Sequence, residues 1–351
     1  MTSGVPSLPR SRAPQGDVDL EERLSRPTAQ VLDALRAAPG DILVLGAGGK
    51  MGPSLAAMAQ RAVLTLGDGR SVYAVSRWGN AADANRLERM GVRIIRADLL
   101  ELGALDALPD APTILYLAGQ KFGTRDAPAL TWMTNTILPS RAVARYRNSR
   151  FAAFSTGNVY ALTSSRGGGS REDDPLAPVG EYAASCVGRE RIFEDAAHRW
   201  GTPSVLLRLN YAVDLRYGVL VDLARRLLDD EAIDLAMGYV NCIWQGDANA
   251  TALSALPHAS SPPFALNVTG TERLSVRRVA LQLAERLSCT PRFVGEERED
   301  ALLSDTGRAQ QLFDPHAVDA ATLIDWVADW LLAGGRTLGK ATRFERRDGS
   351  F

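Results

Sequence analysis

The feature that most constrains this chain lies between residues 41 and 66. The run Asp41-Ile42-Leu43-Val44-Leu45 leads directly into Gly46-Ala47-Gly48-Gly49-Lys50-Met51-Gly52, and after Pro53 the residues Leu55, Met58, Ala59, Ala62 and Val63 recur at helical spacing. A buried strand, a glycine turn and an amphipathic helix in that order commit the chain to a parallel strand feeding a crossover. Gly46 permits the tight turn, Gly49 lets backbone approach a diphosphate, and Gly52 lets helix and strand pack closely. The first N–H groups of the helix have no partner within it and face an anion at that end. No Lys-Ser/Thr pair follows the last glycine, so this is not a Walker-type triphosphate loop. A purely structural turn is the competing explanation; strand, spacing and helix together favour a dinucleotide of the NAD type.

The rest of the chain repeats the alternation. Strands are predicted at 41–46, 71–76, 92–96, 113–117, 151–156, 204–209 and 264–268, with helical patterns between them, including Val276, Val279, Ala280, Leu283, Ala284 and Leu287 after a capping Ser275. Strands alternating with helices imply an α/β fold, here a Rossmann-like doubly wound parallel sheet over 41–211 completed by the strand near 264–268. Residues 212–351 read as a smaller, mainly helical C-terminal substrate domain interleaved with the sheet. Residues 1–16, rich in Ser, Pro, Arg and Gly, read as a flexible tail, and 17–40 as a helical extension with Thr28 as an N-cap.

Composition narrows the function classes. A formal net charge of −1 leaves no basic excess for a nucleic-acid partner. Three dispersed cysteines and three isolated histidines give neither a disulfide framework, a metal-ligand spacing nor a Ser-His-Asp triad. No apolar stretch is long enough for a signal peptide or a membrane span, so the chain reads as a cytoplasmic protein without a membrane partner. At the end of the second strand, where an acidic residue would hold the ribose of NAD, stand Ser76 and Arg77. An arginine there can pair with a 2′-phosphate, which puts NADP slightly ahead of NAD.

The spacing of Gly46, Gly49 and Gly52 resembles the loop of the extended short-chain dehydrogenase/reductase superfamily, the NAD-dependent epimerase/dehydratase group that includes UDP-galactose 4-epimerase. Further landmarks follow in order: Asp98-Leu99 after the third strand, Leu117-Ala118-Gly119-Gln120-Lys121 after the fourth, Asn135 in a helix, Ser155-Thr156-Gly157-Asn158-Val159-Tyr160 at a strand end, Arg208-Leu209-Asn210, and Asp247. The resemblance implies that the cofactor is contacted by Gly46, Gly48, Gly49, Lys50, Met51, Gly52, Ser76, Arg77, Asp98, Leu99, Leu117, Ala118, Gly119, Lys121, Asn135, Leu209 and position 186. It also implies that Thr156 bonds the reacting oxygen, that Ser155, Asn158, Asn210 and Asp247 lie on the substrate side, and that helices near 125–145 and 183–199 pair in a homodimer.

The family's acid/base is a tyrosine followed four residues later by lysine; here Tyr182 is followed by Cys186. Residues i and i+4 share a helix face, so a lysine there would bond the ribose and pull the phenol toward neutrality. An ammonium about 4 Å away at an effective dielectric of ~20 contributes about 4 kcal/mol, roughly three pKa units. Lys121 is the expected substitute, while Arg189, seven residues beyond Tyr182 and ~10 Å along the helix axis, is expected to act weakly. Where sugar 4,6-dehydratases carry an acidic pair, this chain has Gly157 and Asn158, which disfavours elimination of water. The resulting expectation is an NAD(P)-dependent oxidoreductase or epimerase acting on a sugar or nucleotide-sugar hydroxyl or carbonyl, with Thr156, Tyr182 and Lys121 in the chemistry. The alternatives are a non-catalytic NAD(P)-binding sensor or scaffold, and an atypical NADPH-dependent carbonyl reductase.

Overall fold

A computed structural model describes residues 12–350. Its centre is a sheet of seven parallel strands, β1 Ile42–Leu45, β2 Val72–Ser76, β3 Arg93–Arg96, β4 Thr113–Tyr116, β5 Arg150–Thr156, β6 Ser204–Leu209 and β7 Phe264–Val268, in the order β7-β6-β5-β4-β1-β2-β3. Each lies within one residue of its predicted bounds. The agreement has a simple origin: β1 and β4 are buried along their whole length, so they must be continuous apolar runs. At the edge, β3 turns Arg93 and Arg96 to solvent, charges that discourage a further strand from adding there.

The order reverses between β1 and β4, which opens a crevice at the carboxyl ends of those strands. One face of the sheet is covered by α2 Ala29–Ala37, α3 Gly52–Leu66, α4 Ala81–Arg89 and α9 Gln245–Ser254, the other by α6 Leu138–Arg145 and α7 Gly180–Trp200; α5 Pro128–Trp132 runs into α6 through a π-helical turn and packs on α7. A second core gathers α8 Val219–Leu228, α10 Val276–Leu287 and α12 Ala320–Leu332, with Leu20 and Leu24 from α1 Gly16–Leu24. Thr28 caps α2 as predicted, its Oγ1 accepting from Val31 N at 3.2 Å.

Residues 1–11 of the expected tail lie outside the described residues. Its last part is not a free tail: Ala13 is buried in the second core and α1 already begins at Gly16. The C-terminal stretch after α12 is ordered by contacts without any period. Leu338 N donates to Arg216 O, Thr342 N to Asp222 Oδ2, and Arg347 pairs with Asp300 at 2.6 Å, while Phe344 is buried.

Between α7 and the sheet lies a buried polar knot. The Glu190 carboxylate accepts from Arg208 Nη2 at 2.8 Å and Nε at 3.1 Å and from Ser155 Oγ at 2.5 Å, and Arg208 Nη1 also reaches Tyr160 Oη at 2.6 Å. Replacing Arg208 with Met strands that carboxylate, and denaturant unfolding is expected to show a loss of about 3–5 kcal/mol. A loss below ~1 kcal/mol would mean that water or a proton satisfies Glu190 instead.

Candidate active site

The glycine loop is built for two different demands. Gly46 has φ +87°, and Gly46 N and Ala47 N both donate to Val75 O at 3.0 Å, strapping the turn to β2. A Cβ at Gly46 would lie 2.5 Å from Ala118 N, one at Gly48 2.5 Å from Ser76 Oγ, and one at Gly52 would collide with Ala47 backbone. Those three glycines serve the protein's own close packing. At Gly49 the nearest atom would be Gly46 O at 3.4 Å, so that position is open.

The loop forms one wall of a cleft of about 480 Å³. Gly119 and Lys121 after β4 form another wall, Asp214, Arg216 and Tyr217 after β6 a third, and Arg336 and Lys340 from the C-terminal stretch a fourth. Arg216 is engaged by Asp214 at 2.9 Å and Glu21 at 2.6 Å, and Arg336 by Asp17 at 2.7 Å. Lys50 Nζ donates to Ala212 O at 2.6 Å and lies 4.1 Å from the centre of the Tyr217 ring. Burial lowers Lys50 to about 7, with Asp214 opposing the shift and Lys121 adding to it. Burial likewise lowers Lys121 to about 8, against the pull of Asp222. Two desolvated ammonium groups in one cleft are a seat for an anion, because an anion offsets both the desolvation and the mutual repulsion.

Behind Lys121 stands Tyr182, in the first turn of α7. Its phenol is hydrogen-bonded to Thr156 at the end of β5 and to Cys186, and burial pushes it well above the usual phenol range, with the Cys186 thiol adding to the shift. Asn158 holds Thr156 in place, donating to its Oγ1 from N at 3.2 Å and from Nδ2 at 3.0 Å. Burial also raises the Cys186 thiol, opposed first by Arg189 and more weakly by Lys121. The cation acting on Tyr182 from its own helix is Arg189, whose side chain folds back toward β4 and β5. Its Nη1 donates to Phe154 O at 2.8 Å and its Nη2 to Asn135 Oδ1 at 2.7 Å. Arg189 acts on Tyr182 more weakly than burial, Cys186 and Thr156 do, yet its long side chain covers the turns that the backbone separates.

Residues 42–213 match the family model described as the NAD dependent epimerase/dehydratase family. The chain carries a domain of that family. No curated protein matches the sequence. Among solved structures, MoeE5 in complex with UDP-glucose and NAD is 22% identical with a TM-score of 0.66, covering 84% of this chain and 99% of that one. The UDP-glucuronic acid 4-epimerase of Bacillus cereus in complex with NAD is 19% identical, TM-score 0.68, covering 83% and 97%. DesIV, the dTDP-glucose 4,6-dehydratase of Streptomyces venezuelae, is 19% identical, TM-score 0.69, covering 83% and 97%. At these identities the likeness establishes the fold.

Within this epimerase/dehydratase domain the sequence-derived residues separate into two groups. Gly48, Gly49, Lys50, Gly119 and Lys121 share the cleft, and Arg77 and Asp98 meet at 3.7 Å beyond the end of β2. Asn135 and Cys186 are wholly buried and do not line the cleft. Asn135 is a hub: its Oδ1 accepts from Gln120 N at 2.8 Å, and its Nδ2 donates to Gln120 O at 3.0 Å and Ser185 Oγ at 2.9 Å. Three substrate-side expectations are revised. Ser155 donates into the Glu190 knot, and Asn210 is buried, its Nδ2 donating to Asn241 Oδ1 at 2.9 Å. Asp247 accepts from Ala317 N and Val318 N, both at 3.1 Å, fastening the approach to α12 beside a different cavity that His316 lines. Sequence reasoning missed Arg216, Tyr217 and Lys340, whose only signal is three-dimensional.

At pH 8 the two lysines are partly deprotonated, and a bound anion raises the affinity of each for its proton. Titration with inorganic sulfate, which has no titratable proton in this range, in buffers of different ionisation enthalpy is therefore expected to show proton uptake at pH 8 and little at pH 6. Equal heats in all buffers at pH 8 would separate the lysines from the anion.

Proposed function

We propose that the cleft binds NAD or NADP and that the chain is an oxidoreductase or epimerase acting on a hydroxyl or carbonyl of a sugar or nucleotide sugar. The observation that carries this reading is the open position at Gly49, facing a cleft that holds two half-buried lysines, beside a hydrogen-bonded Tyr182–Thr156 pair. The group fits. Only the Gly49 position leaves room beside the turn, the N-terminus of α3 supplies unpaired amides, and the cations answer a diphosphate. The exposure of the Arg77 side chain supports NADP over NAD, although its pairing with Asp98 must open to meet a 2′-phosphate.

Bound there, the nicotinamide supplies a hydride acceptor or donor. The chain's own residues handle the proton and the geometry. Thr156, oriented by Asn158, is suited to hold the reacting oxygen, and Tyr182 exchanges that oxygen's proton. Elimination of water has no support at position 157: a Cβ there would already lie 3.1 Å from both Asn210 Cβ and Ser304 Oγ, which leaves no room for a carboxylate. The exposed Leu130, Met133 and Ile137 recur on one side of the α5–α6 helical run, which supports a homodimer through that face. The raised phenol of Tyr182 favours one rival, a protein that binds the dinucleotide without turning over substrate.

Gly49→Val is expected to weaken NAD(P) binding at least ~30-fold while moving the melting temperature little, because a side chain there meets the ligand rather than the fold. Calorimetry and thermal denaturation together check it; equal losses in both would point to a structural turn.

The second check is turnover. Against a panel of sugars and nucleotide sugars, Tyr182→Phe is expected to abolish reduction of bound cofactor. The wild-type oxidation rate should climb about tenfold per pH unit between pH 7 and 9, as the small phenolate fraction grows. The non-catalytic reading predicts binding without turnover by any substrate.

A further inference from the structure

We infer that Arg189 supplies, from behind Gly119, the positive charge that position 186 lacks, and that this charge makes the site hold the reduced cofactor more tightly than the oxidised one. The inference rests on the cofactor reading above and adds to it a named residue and a preferred redox state.

The guanidinium is buried, and each acceptor it reaches is neutral: Phe154 O at 2.8 Å, Asn135 Oδ1 at 2.7 Å and Asn135 O at 3.4 Å. No ion pair among the described residues includes it, and the adjacent carboxylate, Glu190, is already held by Arg208 at 2.8 Å. The guanidinium carbon also lies 6.0 Å from the centre of the Tyr116 ring. A buried cation with no counter-charge costs several kcal/mol, and a second positive charge brought near it adds to that cost.

Geometry says where. An ideal Cβ on Gly119 would fall 2.7 Å from Arg189 Nη2, so the glycine leaves the room that the guanidinium takes. Gly119 itself lines the cleft, and only that thin stretch of backbone separates charge from ligand. The titratable groups around it are Tyr182 and Cys186 on its own helix, Glu190 beside it, Tyr116 on β4 and Lys121 beyond Gly119.

Chemistry fixes the rest. A hydride acceptor and a proton acceptor that act on one carbinol must both touch it, so the nicotinamide ring and the Tyr182 oxygen lie one bond's reach apart on the same substrate. When a hydroxyl is oxidised, the C–H bond breaks with its electron pair going to the ring, which loses its positive charge. The O–H proton goes to Tyr182 in its phenolate form, which becomes the neutral phenol. A fixed guanidinium nearby opposes the positive ring and leaves the neutral, reduced ring alone. At ~7 to 10 Å and an effective dielectric of ~20 the preference is roughly ten- to fifty-fold. A protein that retains its reduced cofactor in this way is suited to returning the hydride to the same substrate.

The test is binding, with no need to know the substrate. Dissociation constants for NAD+, NADH, NADP+ and NADPH are measured by calorimetry on the full chain, on Arg189→Gln and on Arg189→Lys. The wild type is expected to bind the reduced member of the preferred pair at least tenfold more tightly, and Arg189→Gln to lose most of that preference. Arg189→Lys should keep the preference near pH 7 and lose it as pH rises toward 10, since a buried lysine titrates there and guanidinium groups do not. Lys50 and Lys121 titrate in wild type and variant alike, so the difference between the two curves belongs to position 189. If Arg189→Gln fails to fold, the pH dependence of Arg189→Lys decides alone. A wild type that binds none of the four nucleotides overturns the cofactor reading and the inference with it. Binding with a preference that Arg189→Gln leaves within twofold of wild type, or that Arg189→Lys does not make pH-dependent, overturns the inference and leaves the cofactor reading standing.

Discussion

The geometry of the site depends on one buried ion pair. Glu190 sits on α7 two helical turns beyond Tyr182, and its carboxylate is gripped by Arg208 from β6 and Ser155 from β5. Those bonds fix the rotation of α7 about its own axis, and with it the direction in which Tyr182 points. Thr156, the next residue along β5 after Ser155, is held to the same frame and faces the phenol. An apolar replacement of the pair would pack as well and cost less desolvation. It would not define an angle, because apolar contacts have no preferred direction. The expense of two buried charges is thus matched by the angular accuracy that a proton donor and an orienting hydroxyl need.

The same reasoning extends outward to the terminal segments. Asp17 and Glu21 of α1 reach Arg216, and Asp17 also reaches Arg336 of the C-terminal stretch. Both ends of the described chain therefore converge on the segment after β6 that forms one wall of the cleft. Arg216 is mostly buried and multiply paired, so it serves as the joint of these walls, whereas Lys50 and Lys121 face the cleft between them. A cleft whose walls are tied by ion pairs at its rim is most ordered where those pairs are least screened, at low ionic strength.

How much of this was legible in the sequence follows from the range of each interaction. The seven strands were legible because burial on both faces forces continuous apolar runs, and the glycine loop because its function is a property of consecutive residues. The two-residue ladders, such as Thr163–Ser164 against Asp300–Ala301, were not, since two residues have no period. The substrate-side placement of Asp247 was misled by order along the chain. Its carboxylate is occupied by amides seventy residues away, a pairing that no local pattern encodes. The C-terminal stretch escaped for the same reason: Thr342 and Arg347 are fixed by single partners, Asp222 and Asp300, rather than by an amphipathic face.

Cys186 shows most clearly why a site has to be read as a set of charges rather than as a list of positions. Taken alone, a thiol in place of a lysine removes a cation and argues for lost chemistry. In the fold, that thiol is packed among Val159 and Tyr160, and an ammonium at its place would add a third cation to a neighbourhood that already contains Arg189 and Lys121. Like charges that share a poorly solvated neighbourhood repel by roughly 2–4 kcal/mol at an effective dielectric of ~20. The guanidinium behind Gly119 and the lysine at 186 are therefore alternatives more than complements. A small uncharged residue at 186 is what the presence of Arg189 calls for, and a glycine at 119 is what lets Arg189 be there.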